Sequence, residues 1–264
     1  AHHVAQSVPL DADGVVIGEP GGIDEDYDRL HLVSRGIARL RLVAGGRQGH
    51  SSLSDELGTR NAGVDAARLV TEVADSLAVD TPADVHGLSG WTPTVNTGMA
   101  YHGGVGFGVL PGVMAVDTEV RLLPEMLRED VREAFTVLVE RVSQETGSDL
   151  RIEFDQPPND WLPATLIVPS DPLVEEARTA CQAVLGTEPT SAVFPGTTDA
   201  TWFSAIQNLP TLPALGPGLL RRAHAADEWV SIQAVRQAVE IYTHLARAYC
   251  STDAIPATHE EIER

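Results

Sequence analysis

The stretch "GVMAVDTEVRLLP", residues 112–124, sets Met114, Val116, Val120 and Leu122 against Asp117, Glu119 and Arg121 with a period of two. Side chains along a strand alternate between faces, so this pattern reads as a strand with one buried and one polar face. The neighbouring segments extend the reading. Upstream, "IARLRLVAG" (37–45) alternates in the same way. "RNAGVDAARLVTEVADSLA" (60–78) lines Ala66, Leu69, Val70, Val73 and Leu77 along one helical face, and "WTPTVNTGMAYHGG" (91–104) returns to alternation. Downstream, "REDVREAFTVLVERVSQETG" (128–147) is amphipathic through Val131, Ala134, Leu138 and Val142 with Gly147 as its stop, and "DLRIEFD" (149–155) sets Leu150, Ile152 and Phe154 on one side. The order over residues 36–155 is strand, helix, strand, strand, helix, strand, the split arrangement of ferredoxin-like α+β domains.

The flanks read as an α/β layer interrupted by that domain. "VVI" (15–17) is a short β-branched strand whose turn presents Glu19, and the opening residues, His2 and His3 included, are expected to be a loose terminus. "QPPNDWLPATLIVPSDP" (156–172) reads as a linker. "SDPLVEEARTACQAVLG" (170–186) has a helix start at Ser170 or Asp171, Pro172 in its first turn and Gly186 past its end. "TSAVF" and "PTLPALG" are short buried strands, each leading into a glycine loop. A last helix from Ser231 to about Tyr249 is expected to align Ile232, Val235, Val239, Tyr242 and Tyr249 along one face, with a loose tail after it. The expected division is residues 1–35 and 156–264 in a partial α/β domain, and 36–155 in the ferredoxin-like insert.

Composition removes several classes of function. The 38 acids against 18 bases give a formal charge of −20, which repels a phosphate backbone and argues against nucleic acid. All 18 bases are arginine, so lysine Schiff-base and P-loop lysine chemistry are excluded. Cys181 and Cys250 lack metal-binding spacing, and two free thiols fit a reducing, cytoplasmic compartment. No apolar run approaches the roughly 20 residues of a membrane span. "HGGVGFGVLPG" departs from the dinucleotide fingerprint, "GHSSL" from the nucleophile elbow and "HEEIE" from the two-histidine zinc helix.

Glu19, His50, Arg121, the turn Gly196-Thr197-Thr198-Asp199 and His224 remain as candidates. Taken singly, each has a plain alternative: turn chemistry at Glu19, a solvated loop histidine, a surface ion network around Arg121. A tight Gly-Thr-Thr turn at a strand end can offer backbone N–H groups and hydroxyls to acyl or carboxylate oxygens.

The order of these motifs resembles the zinc-dependent amidohydrolases and peptidases that include acetylornithine deacetylase, succinyl-diaminopimelate desuccinylase and the glutamate carboxypeptidases. "VVIGEP" resembles that family's zinc-binding strand end, which maps to Glu19. "SRGIARLRLVAGGRQGHSS" with "NAGVDAARLV" resembles the entry to its dimerisation lid, with His50 as the catalytic histidine reaching a partner's site. "GVLPGVMAVDTEVRLLP" is similar to the lid strand with a substrate-binding arginine, here Arg121, and "FPGTTDA" with "GPGLLRRAHAADEWV" is similar to the closing loops, with His224 as a zinc ligand and Gly196, Thr197 and Thr198 at the substrate. The resemblance implies an α/β zinc-peptidase catalytic domain with an inserted lid. It also implies a homodimer, two Zn²⁺ per complete site with Co²⁺ or Mn²⁺ as substitutes, and hydrolysis of the amide of an N-acyl amino acid or peptide. The family's first metal histidine, bridging aspartate and paired glutamates precede the "EP" element, and the 18 residues before Glu19 hold no such pattern. The resemblance therefore implies a carboxy-terminal portion without its general base, inactive alone. A non-catalytic dimerisation or binding module derived from the family is the alternative.

Overall fold

The computed structural model describes residues 1–57, 60–81, 90–157 and 159–251. The chain opens with α1 (His2–Ser7), then β1 (Val15–Val16), β2 (Pro20–Gly22), β3 (Arg29–Ser34), β4 (Gly36–Gly45) and β5 (Gly49–His50). Helices α2 (Ser54–Leu57) and α3 (Ala62–Ser76) precede β6 (Thr94–Gly103), β7 (Val109–Leu110), β8 (Val113–Leu122), α4 (Arg128–Thr146) and β9 (Asp149–Glu153). The remainder is β10 (Trp161–Leu162), β11 (Thr165–Leu166), α5 (Pro172–Leu185), β12 (Thr190–Phe194), α6 (Ala200–Gln207), β13 (Thr211–Leu212), β14 (Gly216–Leu219) and α7 (Ile232–Tyr249). These elements form two compact units, one from residues 1–34 with the chain from Thr165 onward, the other from described residues between Arg35 and Ala164.

In the second unit β4 and β8 pair antiparallel along their whole length, β6 lies beyond β8, and β9 and β10 share the other edge of β4. The order β9-β4-β8-β6 is the ferredoxin-like one. Alternation explains the core. Ala38, Leu40, Leu42 and Ala44 of β4 and Val116, Val120 and Leu122 of β8 share one cluster with Ala66, Leu69 and Val73 of α3 and Phe135, Leu138 and Val142 of α4. Both helices therefore cover the same sheet face. Asn61 caps α3 by accepting from the Gly63 amide at 2.9 Å, and Gly147 ends α4 at φ 65°. On α4 the stripe is turned slightly from the expected one: Phe135 and Val139 are buried and Ala134 only half-buried, because the large ring takes the deepest position.

The first unit packs α5 against α7 over β3 and the ends of β13 and β14. Asp171 Oδ1 accepts from the Leu173 amide at 2.9 Å, Pro172 opens α5 and Gly186 closes it at φ 78°. Of the expected face of α7, Tyr242 and Tyr249 pack half-buried against the core, but the rest is exposed. Ile232 is 73% exposed and Val239 63%, whereas Ala234, Ala238, Ile241 and Leu245 are buried in one cluster with Ala177, Ala180 and Cys181 of α5. The helix carries two apolar stripes, and the alanine-rich one permits the closer helix-to-helix approach. Two further expectations change. The stretch expected as a linker supplies β10 and β11, which join different sheets. The opening residues form α1, with the His2 ring stacked on Trp202 at 4.0 Å and Gln207 Nε2 donating to the Ala5 carbonyl. The tail expected to be loose lies, from residue 252, outside the described residues. No helix of the described residues is long and apolar enough to cross a membrane.

Candidate active site

Glu19 sits exposed in the turn between β1 and β2. That turn runs beside the segment 210–219 as a nearly continuous parallel ladder. Val15 N donates to Pro210 O at 2.9 Å, Ile17 N to Leu212 O at 3.0 Å, Leu215 N to Ile17 O at 2.9 Å and Gly216 N to Glu19 O at 2.7 Å. The contact at Gly216 leaves no room for a side chain, since a Cβ there would lie 2.1 Å from the Gly18 carbonyl oxygen. From β14 a single 3₁₀ turn, Leu220–Arg222, leads to His224, which is exposed at φ 62° with its amide donating to Glu228 Oε2 at 3.1 Å. Glu19 thus immediately precedes β2, and His224 follows by five residues the end of β14, the strand paired with β2. Carboxylate and imidazole suit zinc. Among the described residues, however, no group of three or more His, Cys, Asp or Glu side chains is arranged around a common point. The donors match the metal in chemistry and fall short of it in number.

The Gly196 turn follows β12. Thr198 is buried and its Oγ1 accepts from the Ala200 amide at 3.3 Å, so this hydroxyl is committed to starting α6. Thr197 Oγ1 is buried without a hydrogen-bond partner. Such a group is costly unless something bonds it. Gly196 packs on the ring of Phe194, 3.0 Å from where its own Cβ would stand.

His50 ends β5, which pairs with β7 through His50 and Val109, a two-residue ladder too short to leave a periodic signal. Its Nδ1 accepts from Ser52 Oγ at 2.8 Å and from the Ser52 amide at 3.3 Å. That partner sets the neutral tautomer with the proton on Nε2, the outward nitrogen of an exposed side chain. Arg121, on β8, gives Nε and Nη2 to Glu119 Oε1 at 3.0 and 2.9 Å, and Asn96 Nδ2 donates to the same oxygen at 3.2 Å. The ion network foreseen from the polar face of β8 is present, with Asp117 turned instead to Arg41 at 2.8 Å and His102 at 2.7 Å. Burial pushes the Asp117 carboxyl up, but the hydrogen bonds from Arg41 and His102 more than offset it and hold the group below its ordinary range.

Two residues were missed in the sequence. Arg35 is 6% exposed, and its Nη2 donates to Thr92 O, Thr94 Oγ1 and Arg121 O at 2.9–3.0 Å, fixing the backbone beneath Arg121. Burial first, and then the Arg121 guanidinium, depress its pKa. His31 is wholly buried in β3. The available signal was a histidine inside the otherwise apolar run "RLHLV".

Residues 2–248 match the sequence profile of Peptidase family M20/M25/M40. The chain belongs to this family. Within it, the chain is similar to succinyl-diaminopimelate desuccinylase of a Bradyrhizobium strain, 24% identical over 90% of this chain and 58% of that protein. It is also similar to acetylornithine deacetylase of Pectobacterium carotovorum, 26% identical over 95% of this chain and 60% of the relative. Aminoacylase-1 of Mus musculus is 30% identical over 66% of this chain and 41% of its own length. The chain thus spans about 60% of the first two and less of the third. Two solved structures share the fold: the di-peptidase Dug1p of Saccharomyces cerevisiae, with a TM-score of 0.76 at 14% identity over 94% of this chain and 61% of that one, and the M20 family metallo-carboxypeptidase Sso-CP2 of Sulfolobus solfataricus, with a TM-score of 0.69 at 17% identity over 94% and 66%.

Proposed function

We propose that the chain is the lid and the carboxy-terminal part of the catalytic domain of a zinc-dependent amide hydrolase acting on an N-acyl amino acid or small peptide. The observation that carries this reading is the family match over residues 2–248. The names of the relatives, a desuccinylase, a deacetylase and an aminoacylase, support an N-acyl substrate. In this reading Glu19 and His224 are metal ligands, completed by further ligands and a general base from sequence outside this chain. When bound, zinc supplies Lewis acidity toward the scissile carbonyl and lowers the pKa of the attacking water; Co²⁺ or Mn²⁺ would serve similarly.

The residues of this chain then bind and orient. His50 presents Nε2–H to the developing oxyanion in the partner subunit's site, a contribution of roughly 10²–10³ in turnover by comparison with other oxyanion donors. Arg121 meets the substrate carboxylate with the guanidinium edge that Glu119 leaves open. Gly196 lets the acyl group approach the turn, the Thr197 hydroxyl is the group with an unspent hydrogen bond there, and Thr198 holds the turn at the start of α6. Two features support a homodimer through the lid: β6 is an edge strand, and it exposes Met99 and Tyr101 at 58% and 55%. The two free thiols support a reducing, cytoplasmic setting.

The test is zinc-dependent hydrolysis of N-acetyl and N-succinyl amino acids by the longest natural reading frame containing this chain and by the chain alone. Activity is expected from the former and little from the latter. His50→Ala in the longer protein should cut kcat by about 10²–10³ with a smaller change in KM. A zinc-loaded, folded, longer protein without amidase activity overturns the reading. The alternative is a non-catalytic dimerisation or binding module derived from the family, and a longer protein that dimerises without hydrolysis would establish it.

A further inference from the structure

The imidazole of His31 lies at the centre of the first unit with no solvent exposure. Its Nε2 is 3.0 Å from the Gly21 carbonyl oxygen, two residues beyond Glu19. A carbonyl accepts, so Nε2 carries the proton. Its ring meets Phe194 edge-on, with centroids 5.2 Å apart at 88°. Phe194 in turn is the surface on which Gly196 rests. The parallel ladder between β3 and β12 pairs His31 with Ala192 and shifts register between Ala192 and Val193, so the strand is re-aimed beside the imidazole. Gly21, His31, Phe194 and Gly196 therefore form one contiguous stack. It runs from the turn that bears Glu19 to the turn that bears Thr197 and Thr198.

We infer that His31 is a positioning residue: its Nε2–H holds the Gly21 end of the stack and its ring holds the Phe194 end, so that one side chain sets both turns of the candidate site. A buried polar group is retained at the cost of desolvation, and Nδ1 has no hydrogen-bond partner to offset it. An apolar residue would fill β3 at lower cost but could not hold the Gly21 carbonyl. The two functions of the ring are separable, because a glutamine keeps a donor without the ring and a phenylalanine keeps the ring without the donor. The inference rests on the reading of Glu19 and the Gly196–Thr198 turn as site elements. It is tested on backbone order without substrate or metal, so a failed amidase assay and a failed exchange experiment point to different errors.

The experiment is amide hydrogen exchange by NMR on the present chain and its His31→Gln and His31→Phe variants. The Leu215 and Gly216 amides, which donate to Ile17 and Glu19, report on the first turn; the Ala200 and Thr201 amides, which donate to Thr198, report on the second; Ile241 and Leu245 of α7 report on the core. His31→Phe is expected to speed exchange at Leu215 and Gly216 by about tenfold relative to α7, the scale of one hydrogen bond, and to spare Ala200 and Thr201. His31→Gln is expected to do the reverse. Imidazole ¹⁵N shifts of the unmodified chain should show the proton on Nε2. Equal acceleration at all three sets, no acceleration at either turn, or a proton on Nδ1 would each overturn the inference. Should one variant fail to fold, the imidazole shifts and the other variant still decide it.

Discussion

Gly216→Ala probes the contact that holds the Glu19 turn in place. A Cβ on Gly216 would stand 2.1 Å from Gly18 O, 2.6 Å from Gly18 C and 2.7 Å from Glu19 O, all backbone atoms that cannot rotate away. An ordinary contact begins near 3.4 Å, so β14 must retreat from the turn by about 1.3 Å. The retreat breaks the 2.7 Å bond from Gly216 N to Glu19 O. Overpacking costs about 1–3 kcal/mol and the lost hydrogen bond about 0.5–1.5 kcal/mol, offset by about 0.4–1 kcal/mol from the stiffer unfolded chain. The expected net loss is about 0.5–4 kcal/mol, centred near 2 kcal/mol. Gly21→Ala, on the facing strand, is the control: its Cβ would meet Gly216 O at 3.4 Å, an ordinary contact, and the change should stay below about 0.5 kcal/mol. Urea denaturation followed by far-ultraviolet circular dichroism measures both. If Gly216→Ala costs less than about 0.5 kcal/mol, or the two substitutions cost the same, the two strands do not approach this closely.

Two further expectations follow from burial. Ile241→Ala should cost about 2–5 kcal/mol and Val239→Ser no more than about 0.5 kcal/mol, since only the former faces α5; the reverse order in urea titrations would mean that the other stripe of α7 is buried. Burial, the largest influence on His31, holds it below the ordinary histidine range against the hydrogen bond to the Gly21 carbonyl. The unfolded chain then takes up this proton first, so the stabilisation is complete above about pH 6.5 and erodes as pH falls through that value, by at most about 1.4 kcal/mol per pH unit. Unfolding free energies at pH 7.5 and 5.5 should differ more for the unmodified chain than for His31→Gln, and equal differences would remove His31 as the source.

Much of the architecture is local and therefore legible in the sequence. The alternation of residues 113–122 needs only the strand period, and the start and stop of α5 need only Asp171, Pro172 and Gly186. The element order then leaves few topologies, and the ferredoxin-like one is observed. The candidates Glu19, His50, Arg121 and His224 came from motifs that are short and ordered along the chain, and so need no tertiary structure to be named. What they touch does need it. Arg121 turns to Glu119 rather than lying free, and Thr198 spends its hydroxyl on α6 while Thr197 does not. Which of two apolar stripes of α7 is buried depended on the small side chains of α5. Propensity and periodicity belong to one segment, whereas burial and hydrogen-bond partnership belong to pairs of segments distant in the chain. That is why His31, one polar residue in an apolar strand, acquired a part only when β3 was laid between Gly21 and Phe194.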